Sequence, residues 1–245
     1  MTGAGNSRVR VFAPPREHGA YGVWSASLLF ALLASRDFDI PLLVPALLAS
    51  FIVLFTLDYM RVVKLGGRGP LIIAFVSLLY LPVIVSRAPY SLVLAGLSLA
   101  LLALTMYSRS LTNVAGAALV GVAGSFVYLA GSEVDWGKMF FPPLYNLLAT
   151  SQAQIRVTGP RPGVVASEVL GAVGILALGV YFFKAMGTWA PLGLLIVDVV
   201  TRFAMRLGGF YDRLELKRYG ILEFTRTLLI QALVAILLRT LASGG

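Results

Sequence analysis

Apolar residues in this chain recur in blocks of about 17–21, broken by short basic clusters, and this pattern constrains the fold more than any single motif. At a rise of about 1.5 Å per residue, a helical block of that length crosses a hydrocarbon core of about 30 Å. Nine such spans are predicted, over roughly 19–35, 41–58, 70–86, 88–107, 111–131, 139–155, 164–183, 185–202 and 220–239. Pro142 and Pro143 interrupt the sixth, and the eighth is short with Pro191 inside it. Membrane helices tolerate proline where neighbours satisfy the freed backbone groups. The expected architecture is an all-α integral membrane bundle. One polytopic domain over 14–245 follows a mobile cytoplasmic N-terminus, 1–13.

Composition agrees with this reading. Of 245 residues, 58% are hydrophobic and 13% charged, about half the charge of a soluble domain. A soluble globular enzyme and a disordered chain are thereby excluded. With no cysteine, thiol catalysis, thiolate metal binding and a disulfide framework are excluded as well. The formal charge of +9 points to loops facing the cytoplasm and anionic membrane lipids, not to nucleic acid. The cations also orient the bundle. Placing the N-terminus inside puts fourteen there, in the clusters Arg8–Arg16, Arg61–Arg68, Arg109, Arg156–Arg161 and Arg202–Arg218. Five fall outside: Arg36, Arg87, Lys138, Lys184 and Arg239. That bias predicts an N-terminus in the cytoplasm and a C-terminus outside.

Ionisable residues inside spans are costly and mark candidate sites. Here they collect at the cytoplasmic ends: Glu17 and His18 on the first span, Asp58 and Arg61 on the second, Arg109 and Asn113 on the fifth. Gln152, Gln154 and Arg156 close the sixth span, Glu168 lies early in the seventh, and Asp198 and Arg202 lie late in the eighth. Glu223 and Arg226 open the ninth. Spacing predicts pairing within helices, of Asp58 with Arg61, Glu223 with Arg226, and Asp198 with Arg202 and Arg206. Any one pair reads as an interfacial anchor, but charges from six or more helices at one depth predict a polar vestibule. The connection over about 203–219 is expected to form a short amphipathic helix. Ala117, Gly121, Gly124 and Gly131 in the fifth span read as a packing stripe for a neighbouring helix. His18 is the sole histidine, so a histidine-based metal site within one chain is not expected.

Two stretches carry a family likeness. The segment Pro15–Trp24, PREHGAYGVW, resembles the opening of the YwiC-like membrane proteins. The segment Arg218–Leu229, RYGILEFTRTLL, resembles the entry to that family's last helix. More distantly the chain resembles the UbiA prenyltransferase superfamily, through Met106–Gly124, MYSRSLTNVAGAALVGVAG. That resemblance implies a nine-helix bundle with a cytoplasmic N-terminus and a membrane-embedded site opening to the cytoplasm. It also implies that Arg109 holds a substrate diphosphate. In the superfamily, two aspartate-rich motifs bind magnesium. Here the first region, TLDYMRVVK, keeps one carboxylate, Asp58, and the second, TSQAQIRVTG, has Gln152 and Gln154 instead. A magnesium site would require Asp58 to find further ligands. Prenyl transfer by the two-motif mechanism is therefore not expected.

The reading these features support is a multi-pass protein of the cell membrane whose vestibule binds an amphipathic anion. The ligand would be an isoprenoid diphosphate, a quinone precursor or a lipid headgroup. Arg61, Arg109, Arg156 and Arg202, with Asn113, Gln154 and Asp198, would hold it, since guanidinium forks match phosphate oxygens. Glu17, His18, Asp58 and Glu223 would move protons or orient the arginines. If it is an enzyme, it is a divergent prenyltransferase-like one. A small-molecule or lipid transporter is the first alternative; it requires polar residues through the midplane. A non-catalytic subunit or assembly factor of a membrane complex is the second.

Overall fold

The computed structural model describes residues 18–64, 66–131 and 133–242. Among them the chain is all-α, with ten helices: α1 His18–Ala34, α2 Ile40–Val63, α3 Gly69–Ser86, α4 Tyr90–Tyr107, α5 Thr112–Leu129, α6 Trp136–Thr158, α7 Pro162–Met186, α8 Ala190–Leu207, α9 Phe210–Arg213 and α10 Leu216–Ala242. Glu17 and the predicted mobile N-terminus lie outside the described residues, as does the side chain of His18. Six helices, α2, α3, α4, α5, α7 and α10, are long and apolar enough to cross a membrane. Such a bundle is that of a multi-pass membrane protein. The other long helices, α1, α6 and α8, combine apolar stretches with polar residues that turn inward.

The small residues of α5 explain its place at the centre. A Cβ on Gly121 would come within 2.6 Å of Pro143 Cα on α6, and one on Gly124 within 2.6 Å of Ser27 Cβ on α1. Both neighbours therefore approach at backbone distance, and nearly every side chain from Val114 to Leu129 is buried. The packing role predicted for the stripe is the one observed. Helices α1, α2, α4 and α6 surround α5, α7 packs on α6, and α10 on α1.

One local expectation is corrected and another is met in shorter form. Helix α8 starts at Ala190, so Pro191 sits in its first turn, where a missing N–H costs nothing, and not inside the helix. A short helix does form in the connection over 203–219, but it covers only α9. Helix α8 continues to Leu207, α9 is four residues long, and α10 begins at Leu216. Gly209, at φ +66°, makes the turn between α8 and α9. The basic residues Lys217 and Arg218 thus extend the last long helix.

The end of the bundle away from the charged segments is tied by short polar contacts. Arg87 donates to the carbonyls of Leu129 and Gly131 at 3.1 and 2.9 Å. Arg36 pairs with Glu133 at 3.3 Å. Asp135 accepts from the Lys138 backbone N–H at 2.8 Å, capping α6.

Candidate functional site

Among the described residues, the predicted polar side chains gather at one end, but as two assemblies of different character. The first is centred on Arg202, which is fully buried. Its Nε donates to Asp198 Oδ2 at 3.1 Å, its Nη2 to the Tyr145 hydroxyl at 2.8 Å, and its Nη1 to Glu223. Tyr145 passes the bond on, donating to Asp198 Oδ2 at 2.9 Å, since a hydroxyl both accepts and donates. Arg226 donates to Asp198 Oδ1 at 2.6 Å and to the Asp198 carbonyl at 2.7 Å. Arg206 pairs with Glu168, whose other oxygen accepts from Gln152 at 3.0 Å. Tyr211 on α9 donates to Glu223 Oε1 at 3.0 Å. Three arginines thus meet three carboxylates, and the assembly is neutral. Neutrality is a physical requirement here, because an unpaired ion removed from water costs several kcal/mol.

The partners differ from those that spacing predicts. Asp198 and Arg202 pair as expected. Glu223 and Arg226, three residues apart, do not form the predicted bond. Glu223 goes to Arg202 and Arg226 to Asp198, crosswise between α8 and α10. Arg206 likewise turns to Glu168 on α7, away from Asp198. Each crossed pair joins two helices, which a pair within one helix cannot do. Tyr145 and Tyr211 also belong to this assembly, and sequence reasoning passed over both. A tyrosine in an apolar chain carries the same pattern as any core aromatic.

The second assembly is a cavity of about 920 Å³ walled by α1, α2, α5, α6 and α10. Asp58, Arg61, Asn113 and Lys217 sit toward the ends of their helices, whereas Val23, Leu54, Val120 and Phe224 line the deeper part. The cavity is therefore polar at the mouth and apolar within. Arg61 bonds Asp58 at 3.1 Å, Asn113 Oδ1 at 2.8 Å and the Thr112 carbonyl at 3.2 Å, tying α2 to α5. Gly116 makes room for it, since a Cβ there would lie 3.1 Å from Arg61 Nη2. Arg61 Nε and the Tyr219 hydroxyl are buried with no hydrogen-bond partner among the described residues, and both residues line the cavity. Two donors without acceptors beside a cationic rim fit an acceptor-rich, anionic group. Gly19 and Ala20 on the same wall place the start of α1 at this end.

The remaining predicted ligand-binding residues lie elsewhere. Arg109 is exposed in the turn between α4 and α5 and is not part of the cavity wall. Gln154 is buried and donates to the Ser110 carbonyl at 2.9 Å, holding that turn. Arg156 donates to the carbonyls of Tyr211, Asp212 and Leu214 at 2.9, 3.3 and 3.1 Å, and so fixes α9. Burial, followed by the nearby Glu223 charge, pushes the Tyr211 hydroxyl up to about 12, so it stays protonated as a donor.

The magnesium that the resemblance implies asks for octahedral oxygen ligands, supplied by carboxylates and phosphates. Among the described residues two carboxylates line the cavity: Asp58, paired with Arg61, and Glu223, engaged by Arg202 and Tyr211. No three His, Cys, Asp or Glu side chains converge among the described residues. That donor set does not fit the ion.

Comparison of the chain with family models, curated proteins and solved structures finds no match. Fold and site define a class: an apolar helical membrane bundle with a polar-mouthed cavity at one end. The particular function rests on the chemistry of that cavity.

Proposed function

We propose that this is a nine-span protein of the cell membrane, N-terminus cytoplasmic, built on a UbiA-like plan and related to the YwiC-like proteins. Its cavity binds an amphipathic anion of the isoprenoid diphosphate or lipid-like type. The cavity itself carries this reading: a volume of about 920 Å³, at the upper end of the roughly 300–1,000 Å³ of small-molecule sites, apolar in depth and rimmed by Arg61 and Lys217. The apolar tail lies against Val23, Leu54 and Phe224. The headgroup accepts from Arg61 Nε and the Tyr219 hydroxyl and takes charge compensation from Lys217. Protein cations take the role that metal would otherwise fill.

Photocross-linking with a diazirine analogue of farnesyl diphosphate tests the assignment. Label on α1, α2 or α10 peptides lining the cavity, competed by unlabelled farnesyl diphosphate, is the expected result. Label spread over the lipid-facing surfaces of α3 and α4, without competition, contradicts it.

A second reading, movement of the ligand across the bilayer, draws on a polar cluster one turn below the cavity wall. Asn146 donates to Ser27 at 2.9 Å and accepts from Gln231 at 3.0 Å, and Gln231 Oε1 is buried without a partner. Flux of a fluorescent isoprenoid phosphate through proteoliposomes, abolished by Gln231→Leu, would favour it; equal flux in protein-free vesicles would dismiss it.

A further inference from the structure

A second cavity lies on the other side of α2 and α5, within the membrane-facing half of the bundle. Helix α3 packs on α2 and α4 on α5, while α3 and α4 touch each other little. The slot left between them has a volume of about 170 Å³ and is walled by all four helices. Leu57 is shared with the polar-mouthed cavity, but otherwise the two have separate linings. The outward side chains of α3 and α4, among them Leu71, Leu78, Val85 and Leu99, are exposed, so the slot faces lipid.

Its lining is apolar except for three hydroxyl types. Thr56 and Ser98 direct theirs to carbonyls of their own helices, and Ser77 is exposed. Tyr80 is different. It is buried and stacked on Phe126 with ring centroids 4.1 Å apart, and its hydroxyl has no partner among the described residues. A buried donor without an acceptor is costly, the more so away from water. Tyr80 lies eleven residues into α3, about 4 Å from that helix's middle at 1.5 Å per residue. Glycerolipid ester carbonyls stay near the headgroups, roughly 15 Å from the bilayer centre, and do not reach that depth. At about 170 Å³ the slot is also too small to admit a helix, whose diameter is about 10 Å.

We propose that this slot binds a flat, bilayer-dissolved carbonyl compound of the quinone class, its ring beside the Tyr80–Phe126 pair and one carbonyl accepting from the Tyr80 hydroxyl. Such a ring carries acceptors and no donor, and so satisfies Tyr80 without bringing a new unpaired donor into the slot. Aromatic walls favour a flat ring over a flexible acyl chain. The assignment is independent of the anion site.

Detergent-purified protein titrated with a decyl-substituted benzoquinone, and separately with decylbenzene, tests it by thermal shift. The quinone stabilises the wild type saturably, and decylbenzene does so only at about tenfold higher concentration, the worth of one hydrogen bond. In Tyr80→Phe that advantage disappears, while the unliganded variant melts no lower than wild type because an orphaned hydroxyl has been removed. Ala95→Phe, which fills the slot from its half-buried wall, abolishes both responses. Equal shifts from the two compounds in wild type, an advantage surviving in Tyr80→Phe, or a lower melting point for that unliganded variant would overturn the proposal.

Discussion

Arg202 and Arg61 stand at the same end of one bundle, yet they solve the problem of a fully or partly buried guanidinium in opposite ways. Arg202 has every nitrogen engaged and sits among carboxylates balanced by two further arginines. Arg61 has one carboxylate, one amide and one carbonyl, and a buried Nε left over beside a large cavity. The first arrangement holds helices together; the second leaves capacity for something else. Intramembrane charge alone therefore does not mark a ligand site. Unspent hydrogen-bonding capacity beside open volume does.

The largest expected effect breaks the saturated side. Arg202→Met leaves Asp198 and Glu223 without their shared cation and should cost about 3–5 kcal/mol, read as a collapse of the melting transition or of detergent-soluble yield. Arg202→Lys should rescue little, because one ammonium cannot reproduce the fork to Asp198, Glu223 and Tyr145. Arg61→Gln should cost only about 1 kcal/mol of stability, while weakening farnesyl diphosphate binding tenfold or more in the same thermal-shift titration. Tyr219→Phe should leave stability unchanged or slightly raised and weaken that ligand about fivefold, the share of a single hydrogen bond. Arg109→Ala, in an exposed turn, should change neither quantity; a loss of ligand response there would extend the site beyond the cavity wall.

Alkaline titration gives the smallest signal. The Tyr211 hydroxyl is held at about 12 against an ordinary 10.0. The native state thus favours its neutral form, and this contribution is complete below pH 10 and lost as pH rises toward 12. Tyr211→Phe should flatten that part of the stability profile, measured as melting temperature between pH 9 and 12.

The helices were largely legible because hydrophobic block length is a property of contiguous sequence. The predicted starts of the first three spans fall within one residue of α1, α2 and α3. The stripe on α5 was legible for the same reason, since Gly121 and Gly124 need only a neighbour. Pairs within one helix were half legible: Asp58–Arg61 and Asp198–Arg202 form, whereas Glu223–Arg226 yields to crossed partners. Which partner wins depends on how α8 and α10 are rotated about their axes, and the local sequence does not encode that. The division of the predicted vestibule into a saturated network and an open cavity was hidden likewise. It rests on Tyr145, Tyr211 and Tyr219, whose hydroxyls matter only once burial has removed water as a partner.

The central claim is that Arg61, without metal, holds an anion in the cavity. Its most direct test is a thermal-shift titration of wild type and Arg61→Gln with farnesyl diphosphate, in EDTA and again with magnesium. The account predicts a wild-type shift that is the same in both buffers and is lost in Arg61→Gln, whose unliganded melting point stays close to wild type. A shift that requires magnesium, or one that persists undiminished in Arg61→Gln, would contradict it.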